Sequence, residues 1–284
     1  KICSTNCWFL DNLKSFNINT PLTEGYYSNH KIKMKKLILL FLISCCTMYN
    51  SQQIHVRYLK VLSSFATTHE DLYIKNSQVL SIQDSTITQN NLTDSWTMAV
   101  NLDNGKKPPK QYFVSDLNSD FERNFFFTAN VDSRDFFIHD KVPQPDWKIE
   151  ENETKTIAGY KCIKATGVFR GSNITAYYAK ELPYSAGPFK FYGLPGLILD
   201  VRVDNMDHEI WKAETVTIDD KTSVAFKPQF LNKEKFSLKD YVDVKEAHMN
   251  KIFKKLSDAL PPSNNLKVTT KQRFTVEQKY EWEN

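Results

Sequence analysis

Cysteine is scarce and unevenly placed along these 284 residues: Cys3, Cys7, Cys45 and Cys46 precede residue 52, and Cys162 stands alone after it. A disulfide framework within the remainder is thereby excluded. Cys162 lies in an apolar-alternating segment with no histidine nearby, so it reads as a buried, inert thiol rather than a nucleophile. A charge surplus is lacking too. Six of the 37 Lys and Arg and two of the 33 Asp and Glu precede residue 52, which leaves 31 of each sign. No basic footprint for nucleic acid or an anionic membrane remains, and the aromatics read as core rather than as a base-stacking platform. A long apolar run is missing as well. The longest, Leu37-Ile38-Leu39-Leu40-Phe41-Leu42-Ile43, falls far short of the roughly 20 residues of a spanning helix.

Catalytic and metal motifs are equally absent. The five histidines after residue 52 (His55, His69, His139, His208, His248) form no i, i+4 or His-x-His pair. There is no Gly-x-Ser-x-Gly elbow, no phosphate-binding loop and no Gly-rich dinucleotide turn, so neither a cofactor nor a metal is expected. Asp219-Asp220 and Glu150-Glu151 sit in polar, turn-like stretches and read as charged loop.

What is present begins at Met34. Lys35 and Lys36 precede the apolar run, and a polar stretch with small residues leads to Ser51, the order of a secretory signal. The expected organisation is therefore upstream sequence at 1–33, a signal peptide at 34–51 with cleavage near Ser51, and one domain at 52–284. Leu42-Ile43-Ser44-Cys45 also has the look of a lipobox, in which case lipidated Cys45 would be the first mature residue. Export to the periplasm, the outer membrane or the medium follows in either case.

The exported part is strand-rich. Ile54-His55-Val56-Arg57-Tyr58-Leu59-Lys60-Val61 alternates apolar and polar residues, and similar short runs recur to about residue 139, as in a meander of hairpins. Residues 83–95 and 104–109 are polar connectors, the first a candidate loop. Residues 155–170 and 174–182 read as two strands joined around Gly171-Ser172-Asn173, and 197–203 as a further strand. Ser237-Leu238-Lys239-Asp240 resembles a capping box opening a helix over about 238–260, ended by Pro261-Pro262. Its stripe of Leu238, Tyr241, Val242, Met249, Ile252, Phe253, Leu256 and Leu260 predicts a helix covering the sheet. Residues 271–276 alternate again. The expected fold is mainly β (α+β): a curved antiparallel sheet or half-barrel with one amphipathic helix near the C-terminus.

Six of the seven later glycines fall between Gly159 and Gly196, where backbone geometry is most demanding. There Gly187-Pro188-Phe189-Lys190-Phe191-Tyr192 leads into Gly193-Leu194-Pro195-Gly196-Leu197-Ile198, the signature after which the GLPGLI family of Bacteroidota envelope proteins is named. The chain resembles that family from about Lys155 to Arg202, with Tyr177 and Ala179 departing from its usual pattern. The resemblance implies a lineage and an envelope location but no activity. Leu194-Pro195-Gly196-Leu197 predicts a type II turn with Gly196 at positive φ. Gly187, Pro188, Gly193, Leu194, Pro195, Gly196, Leu197 and Ile198 then either serve folding alone or form the rim of a ligand cavity or an edge that docks a partner. The function expected is a non-catalytic periplasmic or outer-membrane-associated protein binding an apolar ligand, a lipid or a peptide. An interaction subunit of an envelope or secretion complex, or a hydrolase whose residues converge only in the fold, are the alternatives.

Overall fold

Alternating apolar residues build an extended antiparallel sheet, as the sequence leads one to expect. The computed structural model describes residues 52–64, 66–90, 95–99, 110–117, 122–226, 234–259, 273 and 275–283. The leader 34–51, Cys45, the connector 104–109 and half of the alternating tail 271–276 lie outside them. In chain order the strands are β1 (Ile54–Ser63), β2 (Ala66–Lys75), β3 (Gln78–Gln83), β4 (Thr86–Asn90), β5 (Ser95–Ala99), β6 (Gln111–Asp116), β7 (Glu122–Val131) and β8 (Arg134–Pro143). They continue as β9 (Lys148–Ile157), β10 (Tyr160–Phe169), β11 (Ser172–Ala179), β12 (Leu197–Val203), β13 (Ile210–Ile218) and β14 (Glu234–Ser237), before helix α1 (Leu238–Ala259).

The sheet runs β14-β8-β7-β6-β3-β2-β1-β13-β12-β11-β10-β9, with the β4–β5 hairpin branching from β2. It is curved and open, not closed into a barrel. Two meanders, β1 to β8 and β9 to β13, meet along the antiparallel β1–β13 pair, where Val56 faces Val216 and Lys60 faces Trp211. β14 pairs with β8 in parallel.

Turn chemistry sets the hairpins. Asp132 and Ser133, Ala158 and Gly159, and Arg170 and Gly171 all have positive φ, the handedness of two-residue hairpin turns that matches strand twist. The Ala158-Gly159 turn corrects the single strand expected over 155–170. Two strands occupy 148–169, because a glycine at φ 85 reverses the chain there. Residues 83–95 also differ from expectation: Thr86–Asn90 is a strand, since pairing with β2 and β5 satisfies its backbone despite the polar composition.

α1 starts where its cap predicts, with the Asp240 N–H donating to Ser237 Oγ at 3.2 Å. Leu238 and Val242 are buried beside Phe113, Phe127, Phe136 and Ile138. Met249 and Ile252, expected to cover the sheet, are exposed. A helix of 22 residues is about 33 Å long, and it contacts β7, β8 and β14. The larger core spans β1, β2 and β9 to β13.

Candidate functional site

Residues 180–196, between β11 and β12, form no strand and lie across the same sheet face as α1. Phe127 of β7 touches both, with Lys190 Nζ 4.5 Å from its ring centroid and Tyr241 of α1 edge-on at 5.9 Å. The segment brings its own core. Phe189 stacks on Trp211 at 5.8 Å, Phe191 meets Phe169 at 5.1 Å, and the buried Tyr192 donates its hydroxyl to Val142 O at 2.7 Å. Aromatic side chains of the loop thus fill this face of the sheet.

The motif residues lie together at the end of this segment. Leu194, Leu197 and Ile198 are buried, Gly187, Pro188 and Gly196 are buried with them, and Pro195 is exposed. Tyr58 OH donates to Ile198 O at 2.7 Å, and Ile198 N–H to Ala186 O at 2.9 Å. The predicted type II turn is not formed as expected, because the positive φ belongs to Gly193 (100°) and not to Gly196. Glycine is required at 196 for another reason: a Cβ there would lie 2.3 Å from Ala179 O. Close approach of two backbones, not turn handedness, selects the residue. At Gly187 a Cβ would meet Ile198 Cβ at 2.9 Å, so motif glycine and motif isoleucine are mutually fitted.

Two buried carboxylates of the sheet hold the segment down. Glu70 of β2, fully buried, accepts from Ser81 Oγ, from Trp211 Nε1 at 2.9 Å and from the backbone N–H of Phe189. That last bond fixes a non-glycine residue at φ 54°, a conformation costing on the order of 1 kcal/mol. Asp140 of β8 accepts from Lys190 Nζ at 2.7 Å and from both terminal nitrogens of Arg170 at 2.6 and 2.9 Å. All three side chains are 1% exposed. Burial alone would raise the Asp140 carboxyl, but Lys190 and Arg170 outweigh it and hold it below the ordinary aspartate range. Glu277 pairs with both cations and Glu281 with Arg170. Among the described residues no nucleophile or imidazole enters this network, and Asp140, Glu277 and Glu281 are each engaged by a cation. It is a buried ionic lock. Sequence reasoning missed it because its members are far apart in the chain and carry no local motif.

A second feature is an open cleft of about 420 Å³ beside Gly193 and Leu194. Pro143, Pro145, Trp147 and Ile149 supply its apolar wall and Gln144 and Asp146 its polar groups. Trp147 is fixed by donation from Nε1 to Tyr192 O at 2.8 Å, and its ring packs on Gly167, where a Cβ would come within 3.1 Å of it. The cleft runs into β9, the terminal strand of the sheet. In that strand Lys164 pairs with Glu150 and Ile163 with Thr154, so Glu151, Asn152 and Glu153 bulge from the ladder.

The histidines stay dispersed. His55 contacts Asp71 at 2.7 Å and His69 contacts Glu214 at 3.3 Å, and among the described residues no group of three or more His, Cys, Asp or Glu converges as metal ligands. Cys162 is fully buried, with Sγ 3.5 Å from Tyr160 O. Burial pushes its thiol up to about 11, so at pH 8 roughly one molecule in a thousand is a thiolate. The native protein should therefore react with a maleimide far more slowly than the protein in denaturant, at least a hundredfold in initial rate. Equal rates would show that Cys162 is reachable in the fold.

Residues 168–200 match a family model described as a protein of unknown function, Porph_ging. That segment holds Arg170, Lys190 and every motif residue from Gly187 to Ile198. No curated protein matches the chain. Among solved structures, PNGF-II in a P21 crystal form is similar at a TM-score of 0.44 and 15% identity, covering 69% of this chain. A C2 form of PNGF-II is similar at 0.44 and 16%, covering 68%. The chain spans about a third of the length of those structures, 33% and 32% respectively.

Proposed function

We propose that this chain is an exported, envelope-located protein of the GLPGLI type that acts without catalysis. It binds an apolar segment of a partner polypeptide in the cleft between residues 143–149 and the Gly193-Leu194 turn. The observation that carries this reading is the cleft's lining: four apolar side chains with a fixed indole, and Asp146 as the single ionisable group among the described residues that line it. Its volume lies within the range of sites that hold small molecules or one or two side chains. A peptide is favoured over a lipid because the cleft is open and continues along the terminal strand, which pairs with β10 alone among the described residues.

Ile149 and Ile218 make a matched test, being 39% and 41% exposed, one in the cleft and one away from it. Ile149→Asp should weaken binding of an extended apolar peptide selected from a display library at least tenfold, with melting temperature shifted by no more than a few degrees. Ile218→Asp should leave binding unchanged. Equal affinity of both variants for the peptide would remove the cleft from consideration. Preferential loss of a fluorescent fatty acid in the Ile149 variant would favour a lipid instead.

A further inference from the structure

Trp211 of β13 points into the loop that fills one face of the sheet, so its neighbour Lys212 points out of the other. Lys212 pairs with Asp200 of β12, Asp200 with Tyr177 of β11, and Tyr177 with Lys164 of β10, which places all four on that outer face. Asp200 is nonetheless fully buried, beneath the side chains that converge on it. Lys155 of β9 reaches across to put Nζ 3.0 Å from Asp200 Oδ2, and the same ammonium lies 3.8 Å from the centroid of the Tyr177 ring. Arg202, two residues along β12, donates from Nε to Oδ1 at 3.2 Å and from Nη2 to Oδ1 and Oδ2 at 2.9 and 2.8 Å.

One cation would neutralise this carboxylate, and two are held on it. Lys212, directly across the ladder, is exposed and makes no ion pair among the described residues. The neighbouring carboxylates of this face are engaged elsewhere: Glu150 and Glu153 by Lys164, Glu214 by His69 and Arg57, and Asp204 by the Thr175 hydroxyl. Three cations therefore surround Asp200, with 34% of Lys155 and 39% of Arg202 open to solvent. The buried carboxylate acts as a post, fixing two cationic heads on a rigid sheet so that they are ordered before any ligand arrives.

We propose that Lys155, Arg202 and Lys212 form a binding site for a tetrahedral oxyanion, a phosphate or sulfate group. Lys155 Nζ and Arg202 Nη2 touch the same carboxylate oxygen, so one anion can bridge the two heads from the solvent side. The donors left over are single ones. Nε and Nη2 of Arg202 form the fork that Asp200 occupies, which leaves Nη1 for a ligand, whereas a planar carboxylate is best held by the whole fork. A tetrahedral anion offers one oxygen each to Nη1 and to the two ammonium groups. The site is shallow and half-open, so its affinity is about millimolar at low ionic strength and falls as salt rises. It shares no residue with the cleft of the peptide reading.

The test is an NMR titration of the full chain with inorganic phosphate and, separately, with inorganic sulfate. Amide shifts at Tyr177, Asp200, Arg202 and Lys212 should move together, saturate, and weaken with added chloride. Lys212→Gln, at an exposed side chain without an ion pair, should fold normally and bind phosphate at least fivefold more weakly. Lys75→Gln, at the exposed lysine that ends β2, should bind as the unaltered chain does. Vesicles of phosphatidylglycerol separate the two sources of the anion. Retention of the unaltered chain, lost in Lys212→Gln, identifies a lipid headgroup; saturable phosphate binding without retention identifies a soluble anion. Absence of saturable shifts with either anion, shifts centred outside β11 to β13, or equal affinity in the two lysine variants would overturn the site.

Discussion

Gly196→Ala should lower the melting temperature by roughly 10 °C, corresponding to about 3 kcal/mol in a domain of this size. The new Cβ would fall 2.3 Å from Ala179 O and 2.8 Å from Ala179 C, atoms of the neighbouring strand's backbone that no rotamer change can move aside. Relief requires β11 and the motif to separate, which would strain the Leu182–Leu197 hydrogen bond at 2.9 Å. Gly159→Ala is the comparison. That residue has φ 85° but nothing within 4 Å of the added carbon, so only backbone strain of about 1 kcal/mol is expected. Thermal unfolding of both variants decides the matter. If the two cost the same, contact with Ala179 is not what demands glycine in the motif.

Asp140→Asn should be more damaging still, by about 3–5 kcal/mol, because it strips the shared counter-charge from two buried cations while keeping the side chain's shape. Asp71→Asn removes a partly exposed partner of His55 and should cost less than about 1 kcal/mol. The pH dependence has a definite sign. The Asp140 carboxyl is held below its unfolded value of about 3.9, so its contribution is fully present above that pH and is lost as pH falls through the lower, folded value. The melting-temperature gap between Asp140→Asn and the unaltered protein should therefore be constant from neutrality down to about pH 5 and narrow below about 4. A gap that stays wide in acid would mean that the carboxylate's charge is not what the two cations require.

How much of this was legible in advance depended on whether the determining physics was local. The alternation of Ile54 to Val61, the Ser237 cap and the cluster of glycines each follow from the sequence within one element, and each was recoverable. β9 was harder, since Lys148-Ile149-Glu150-Glu151-Asn152-Glu153 is polar and bulged at a sheet end where no apolar face is needed. The role of Gly196 was misjudged because a short contact with Ala179 leaves the same trace in a sequence as a left-handed turn. Asp140, Arg170, Lys190 and Glu277 span 137 positions and meet only through topology. The cleft was half visible: residues 193–194 stood out as motif, but their adjacency to residues 143–149 belongs to the fold.

The meeting of the two meanders also bears on how the molecule is made. Hairpins within each meander join residues close in sequence and can form early, whereas the β1–β13 pair brings Ile54 to Ile218 and the β14–β8 pair brings Ser237 to His139. Each such pairing must overcome the loop-closure entropy of roughly a hundred to a hundred and sixty intervening residues before its contacts return anything. During synthesis β1 therefore waits, one edge unsatisfied, until nearly the whole chain has emerged. A nascent molecule in that state exposes the apolar flank of Val56 and Tyr58 to any passing strand, and its safety rests on how soon β13 arrives.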